Sequence, residues 1–224
     1  MKFKKIVLMI LNFLTIMITE NQSKSLEKYL KLEIKCNSLI RRDDLPSEFS
    51  DEAFNLVDAF IRKTIDLDYE ILIIFDYVTG EIVKCTIGSE TNVKITFDDD
   101  EFKGKKIASI HNHTKDMYTP HSDKNFGIFS REWEGYELIA GYNKLWILKA
   151  KLKDEKLTFD LKTSSNILFR IALESASLKY GNQDEIDDEC DELYGKLLLN
   201  YINDKNIHNI QLEEKEYKYD KTKH

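Results

Sequence analysis

The residues of this chain best suited to chemistry stand together at His111-Asn112-His113 and in the polar stretch after them. Side chains of an extended segment alternate between faces, so positions i and i+2 point the same way. His111 and His113, at the end of a strand, present two imidazoles on one face, at a spacing that can close on one divalent cation. The loop that follows carries Asp116, Thr119, Pro120, His121, Ser122 and Asp123. A carboxylate such as Asp123, ten residues beyond His113, can return as a third ligand. Three protein ligands and one open position describe a hydrolytic zinc site. Paired histidines also occur without metal, bonded to backbone or to each other, and a His-x-His string alone is a weak motif. The string His-Asn-His is not the HNH nuclease signature, whose residues are scattered over a ββα unit.

The elements that must position these groups read as follows. Lys106–Ile110 is mostly β-branched or small and makes a buried strand that delivers the two histidines. Upstream, Ser50 can cap a helix over Asp51–Thr64, with Asp51 and Glu52 in its first turn and Ala53, Val57, Phe60, Ile61 and Thr64 on one stripe. Glu70–Val78 is a near-continuous apolar run, the pattern of a strand buried on both faces. Thr79-Gly80 marks a turn, and Glu81–Ile87 and Asn92–Phe97 read as two more strands of a meander. The acidic run Asp98–Glu101 reads as a solvated loop. Glu70 enters a hydrophobic strand, so it is either exposed at the sheet's end or held near positive charge. Asp76 and Glu81 flank a turn and are weaker candidates.

These residues resemble a known family, the JAB/MPN (JAMM) metalloproteases. Its pattern is an upstream Glu, then His-x-His, seven residues, Ser, two residues and Asp. The likeness runs from about Asp51 to about Leu152, under half the chain. It is greatest to the divergent prokaryotic branch, in which a strand E-x-x-x-x-x-D-x-x-T-G precedes the His-x-His strand. Glu70, Asp76, Thr79 and Gly80 stand at those places, and His111 and His113 match the metal ligands. The loop departs from the pattern. The family's Asp falls on Lys124 and its Ser on His121. A one-residue deletion restores Asp123 but puts Pro120 at the Ser position, leaving Ser122 or Thr119 as the substitute hydroxyl.

The resemblance implies an α/β (α+β) fold: a central mixed β-sheet flanked by helices, JAB/MPN-like and cytidine-deaminase-like. It also implies a zinc-dependent peptidase or isopeptidase. His111, His113 and Asp123 would hold Zn2+ with water as the fourth ligand. Glu70 would move the water's proton to the leaving amine, and Ser122 or Thr119 would donate to the oxyanion. The partner would be a protein or peptide substrate, ubiquitin-like modifiers among those that fit. His121 and Asp116 remain alternatives to Asp123 as third ligand. The shifted Asp and missing Ser support a second reading from another class: a metal-free scaffold or interaction domain, phage- or toxin-associated.

Composition sets the outer limits. With 224 residues, 42% hydrophobic and 11% aromatic, the chain can bury a sizeable core. A net charge of −7 argues against a general nucleic-acid binder, which needs a basic face. Two Pro and eight Gly leave little room for long disordered linkers. The three cysteines, at 36, 85 and 190, are far apart and odd in number, as expected of free thiols in a reducing compartment. Residues 1–22 form an apolar N-terminal segment: Lys2, Lys4 and Lys5, then Ile6–Ile18, too short for an ordinary membrane span. A signal-like anchor that touches the membrane, a buried helix and an over-extended start all fit it. The location is therefore cytoplasmic, or membrane-associated or secreted if the run is a signal.

The rest reads as Ser25–Ile34 helix, Asn125–Ser130 short helix, and strands at Gly135–Gly141 and Lys144–Leu152 with a tight hairpin between them. Trp133 and Trp146 read as core or rim aromatics, and Leu157–Leu161 as a further strand. Helices at Ser164–Tyr180 and Asp184–Asn203 make a C-terminal helical hairpin. The expected organisation is thus 23–162 for the metallohydrolase-like domain, 163–211 for the helical extension and 212–224 for a charged, frayed tail.

Overall fold

The computed structural model describes residues 38–89, 99–114, 134–150, 155–204 and 210–218, with the single positions 28 and 93. Six strands form one mixed sheet: β1 (Ile71–Asp76), β2 (Ile82–Ile87), β3 (Ile107–Asn112), β4 (Glu134–Ala140), β5 (Lys144–Ala150) and β6 (Ile210–Glu216). Their spatial order is β2-β1-β3-β4-β5-β6. The β3–β4 pair is parallel and every other neighbouring pair is antiparallel. Among the described residues three longer helices accompany the sheet: α1 (Asp51–Thr64), α2 (Glu155–Lys179) and α3 (Gln183–Asp204). The expected α+β class, with a mixed sheet and a helical hairpin, is what the chain adopts.

The two faces of the sheet have different covers, and the alternation along each strand shows which residue meets which. On the first face lie Ile71, Ile73 and Phe75 of β1, Ala108 and Ile110 of β3, Leu138 and Ala140 of β4, and Leu145 and Ile147 of β5. They pack against Ala53, Leu56, Val57, Phe60 and Ile61 of α1. Helix α1 forms where its signals stand: Ser50 Oγ accepts the Ala53 N–H at 3.1 Å, acids occupy the first turn and Arg62 and Lys63 the last. On the second face Ile139, Trp146, Leu148 and Leu212 pack under Ala172 and Ala176 of α2 and Cys190, Tyr194, Leu198 and Ile202 of α3. A turn at Asp99–Phe102 places Phe102 against Ile74 and Ile107 at the other end of that face.

The β1–β2 turn is fixed by Asp76 and Gly80. Asp76 Oδ1 accepts the N–H groups of Val78 at 2.8 Å and Thr79 at 3.3 Å. Gly80 has φ +70°, and a Cβ there would lie 2.8 Å from main-chain and side-chain carbons of Glu52. The position therefore requires glycine for conformation and for space. Asp76 is a turn former, as its place beside Thr79-Gly80 suggested.

Two expectations are corrected. Leu157–Leu161 is not a strand but part of α2, which starts at Glu155 and runs unbroken through 162–163. Its alternation L-T-F-D-L mimics period two, but the register of the longer helix prevails. The charged segment after 211 is not a frayed tail through its first half: Ile210–Glu216 is an edge strand on β5. Leu212 and Tyr217 are buried there, and the Tyr217 hydroxyl donates to the Gly141 carbonyl. An edge strand needs only a few inward side chains, and its glutamates discourage pairing with another chain. Residues 1–27, most of the Ser25–Ile34 helix, the Asn92–Phe97 strand apart from Val93, the Asn125–Ser130 helix, Cys36 and Trp133 lie outside the described residues. Cys85 is half-buried and Cys190 buried. No helix among the described residues is long and apolar enough to cross a membrane.

Candidate functional site

Strand β3 ends in His111 and Asn112, and His113 follows directly. The strand runs two residues beyond the expected Lys106–Ile110, because pairing with β4 continues to Asn112 opposite Ala140. The His113 N–H then donates to the Ala140 carbonyl at 2.8 Å, which keeps the chain extended through the second histidine. Both rings are buried, at 7% and 3% exposure. Their Nε2 atoms lie 3.3 Å apart. Two Zn–N bonds of about 2.0–2.1 Å at a tetrahedral angle put their nitrogens roughly 3.3–3.4 Å apart. The pair thus has the span of two ligands on one tetrahedral cation. The same separation suits a hydrogen bond from one ring to the other, with the proton on either.

Asn112 points to the other face and ties this strand end to the α1–β1 connection. Its Oδ1 accepts the Ile71 N–H at 2.7 Å, and its Nδ2 donates to the carbonyls of Tyr69 at 3.1 Å and Thr64 at 3.3 Å. The side chain is fully buried. This brings Glu70 beside the histidines. Leu72 stands opposite His111 in the antiparallel β1–β3 pair, and the register carried two residues further sets Glu70 across from His113 on the same face. The Glu70 main chain is bonded both ways, its N–H to the Ser89 carbonyl at 2.9 Å and its carbonyl from the Gly88 N–H at 2.7 Å. Glu70 is 6% exposed, so it is not a solvated strand end.

Sequence reasoning missed three residues. Asn112 carries no signal of its own in the sequence beyond its place between the histidines. Ser109 and Glu137 share the face of His111 and are buried. Glu137 sits inside the apolar run Tyr136–Ala140, the same signal that singled out Glu70. Beyond the pair, Trp146 packs 6.4 Å from His113 between ring centroids. It is a core aromatic, as expected, and it also lines a cavity of about 440 Å³ with Tyr142, Asp188 and Glu216.

Asp116, Thr119, His121, Ser122 and Asp123 lie outside the described residues. Among the described residues no group of three His, Cys, Asp or Glu side chains is placed to hold a cation. The described part of the site therefore offers two nitrogen ligands with Glu70 close by. The carboxylate with the largest resolved shift is elsewhere: Lys149 and Tyr136 bond Glu48 on the edge of the first face and hold it near about 2. No family model, no curated protein and no solved structure matches this chain.

Proposed function

We propose that this chain is a zinc-dependent amide hydrolase of the JAB/MPN type, a peptidase or isopeptidase acting on a protein or peptide. The observation that carries the reading is the 3.3 Å separation of two buried Nε2 atoms at the end of β3, with Glu70 on the neighbouring strand. His111 and His113 hold the cation, and Asp123 is the third ligand that the resemblance supplies. A zinc ion held there would supply an acidified water and a Lewis acid for the scissile carbonyl. Glu70 takes a proton from the attacking water and returns it to the leaving amine. Burial keeps this carboxylate away from bulk water on the strand beside β3. Ser122 or Thr119 supplies a hydroxyl donor for the tetrahedral oxyanion. The mixed sheet flanked by helices is of the kind the resemblance implies.

The metal-free scaffold reading has its own observation: Lys124 and His121 stand where the family has Asp and Ser. Metal content decides between the two. The purified chain is expected to hold about one zinc ion, His113→Ala to lose it, and Glu70→Gln to keep it while losing hydrolysis. A wild-type chain that takes up no zinc even when zinc is added refutes the enzyme reading and leaves the scaffold.

A further inference from the structure

Helix α2 has two apolar sides, and the core over β4–β6 uses one of them. Its inner side, Ala172 and Ala176 with Leu168 and Phe169, belongs to that core. On the opposite side Ile167, Ile171 and Leu178 are 55%, 46% and 90% exposed, with Leu173 on the flank at 36%. Together with Glu174 the outer side reads 167, 171, 174, 178. A spacing of four, three and four keeps one seam along a helix, here for about 16 Å. A surface helix needs one apolar stripe, and single exposed apolar residues are ordinary. A second stripe at seam spacing marks a contact surface.

The polar residues along the seam indicate what covers it. Among the described residues Arg170 and Glu174 form no ion pair. Arg four residues before Glu is the weaker order for a pair within one helix, so both charges remain for a neighbour. The hydroxyls of Ser175 and Ser177 donate back to the carbonyls of Ile171 and Leu173, both at 2.7 Å. Short, satisfied side chains beside the seam leave room for a second helix. An α2 from another copy, laid antiparallel with the two-fold axis near Ala172 and Leu173, sets Ile167 against Leu178 and Arg170 against Glu174. By symmetry each contact occurs twice. A parallel copy would oppose Arg170 to Arg170 and Glu174 to Glu174, so the seam complements itself in one direction only. The net charge of −7 disfavours an anionic membrane surface as the occupant.

We infer that the outer side of α2 is the interface of a two-fold dimer of this chain. The second copy covers Ile167, Ile171 and Leu178 and pairs Arg170 with Glu174 across the axis. The contact runs about three helical turns, short of a standard interface, so the dimer dissociates on dilution. Neither metal nor hydrolysis enters the inference.

Sedimentation velocity of the full chain tests it in four proteins: wild type, Ile171→Asp, Arg170→Glu and the double swap Arg170→Glu/Glu174→Arg. Wild type is expected to pass from monomer to dimer between about 1 and about 200 μM, as small interfaces do. Ile171→Asp puts a charge in the seam and is expected to weaken the dimer at least about tenfold. Its Tm should stay within about 2 °C of wild type, because the side chain points away from the core. Arg170→Glu is expected to weaken the dimer too, and the double swap to restore it. A wild-type chain that is monomeric at the highest concentration overturns the inference. The Tm of Ile171→Asp then tells a cover within the same chain, where it falls, from a different partner, where it does not. A dimer that Ile171→Asp leaves intact has its interface elsewhere and overturns the inference as well. Should Ile171→Asp not fold, a double swap that associates no more tightly than Arg170→Glu alone overturns it instead.

Discussion

Replacing Asn112 with alanine tests how the α1–β1 connection is held beside the histidines. The side chain makes three hydrogen bonds in a fully buried place: from Ile71 N–H, and to the Tyr69 and Thr64 carbonyls. These are not equal in consequence. The Thr64 carbonyl keeps a second donor, the Leu67 N–H at 3.0 Å, so its loss is small. The Ile71 N–H loses its acceptor at the start of β1, and an orphaned buried donor costs about 1–3 kcal/mol. The Tyr69 carbonyl adds about 1 kcal/mol, carbonyls being more tolerant of under-satisfaction. The void left by the amide adds about 1 kcal/mol more. The expected loss is therefore about 3–5 kcal/mol, or roughly 6–20 °C in Tm for a chain of this size. Urea denaturation with the midpoint and slope fitted separately, alongside a thermal scan, measures it. Asn112→Asp should lose at least as much, since its second oxygen faces two carbonyls that the amide had bonded. An Asn112→Ala chain within about 1 kcal/mol of wild type would refute the reasoning, because it would show that Ile71 and Tyr69 do not depend on this side chain.

Two further outcomes follow from charged groups on the α1 side. Lys149 donates to Glu48 at 2.6 Å and Tyr136 donates to the same oxygen, so Glu48 is held near about 2 against an ordinary 4.5. A depressed carboxylate stabilises above its unfolded value and loses that contribution as pH falls. Glu48→Gln should therefore have a lower Tm than wild type at pH 7, with the gap closing between about 4.5 and about 2. Added salt should narrow the gap too, because Glu48 is partly exposed. A gap that stays constant over that range refutes the assignment. Asp58 accepts the N–H groups of Leu39 at 2.7 Å and Ile40 at 3.2 Å and pairs with buried Arg62 at 2.8 Å. Asp58→Ala should cost about 3–5 kcal/mol, as expected when one partner of a buried ion pair is removed. Asp58→Asn, which keeps acceptors for both backbone groups, should cost less by urea midpoint, and equal losses would show that the backbone bonds contribute little.

What could be read from the sequence was whatever is encoded locally. Helix α1 announces itself through Ser50, two acids and a stripe at spacings of three and four. Strand β1 does so through an unbroken apolar run ending in Asp76 and a turn that needs Gly80. The direction of His111 and His113 follows from the pleat alone. The misses depend on partners distant in sequence. Ile210–Glu216 is mostly glutamate, lysine and glutamine, and becomes a strand because β5 offers it an unpaired edge. The first turns of α2 alternate like a strand and are decided by the helix they extend. Glu137 could be seen as one acid in an apolar run, but only the parallel register with β3 tells which residues it faces.

The second face of the sheet carries the argument for function, because its composition changes where packing alone gives no reason for it. Over β4–β6 the face is Ile139, Trp146, Leu148 and Leu212 under two helices. Over β3 it becomes Ser109, His111 and His113, with Glu137 next to them, each less than 9% exposed. Apolar side chains of similar volume would be less costly to bury at every one of these positions. A chain that needed only a stable sheet would continue the aliphatic pattern across β3, as it does on the opposite face with Ala108 and Ile110. The opposite face bears Asn112, a buried polar group whose structural task is explicit, with three bonds to main chain. Ser109, His111, His113, Glu70 and Glu137 instead share the second face at the end of three neighbouring strands, with two imidazole nitrogens 3.3 Å apart among them. Places where local rules for a core are broken together are where a site is expected, and chemistry at those nitrogens is the reading that accounts for all five at once.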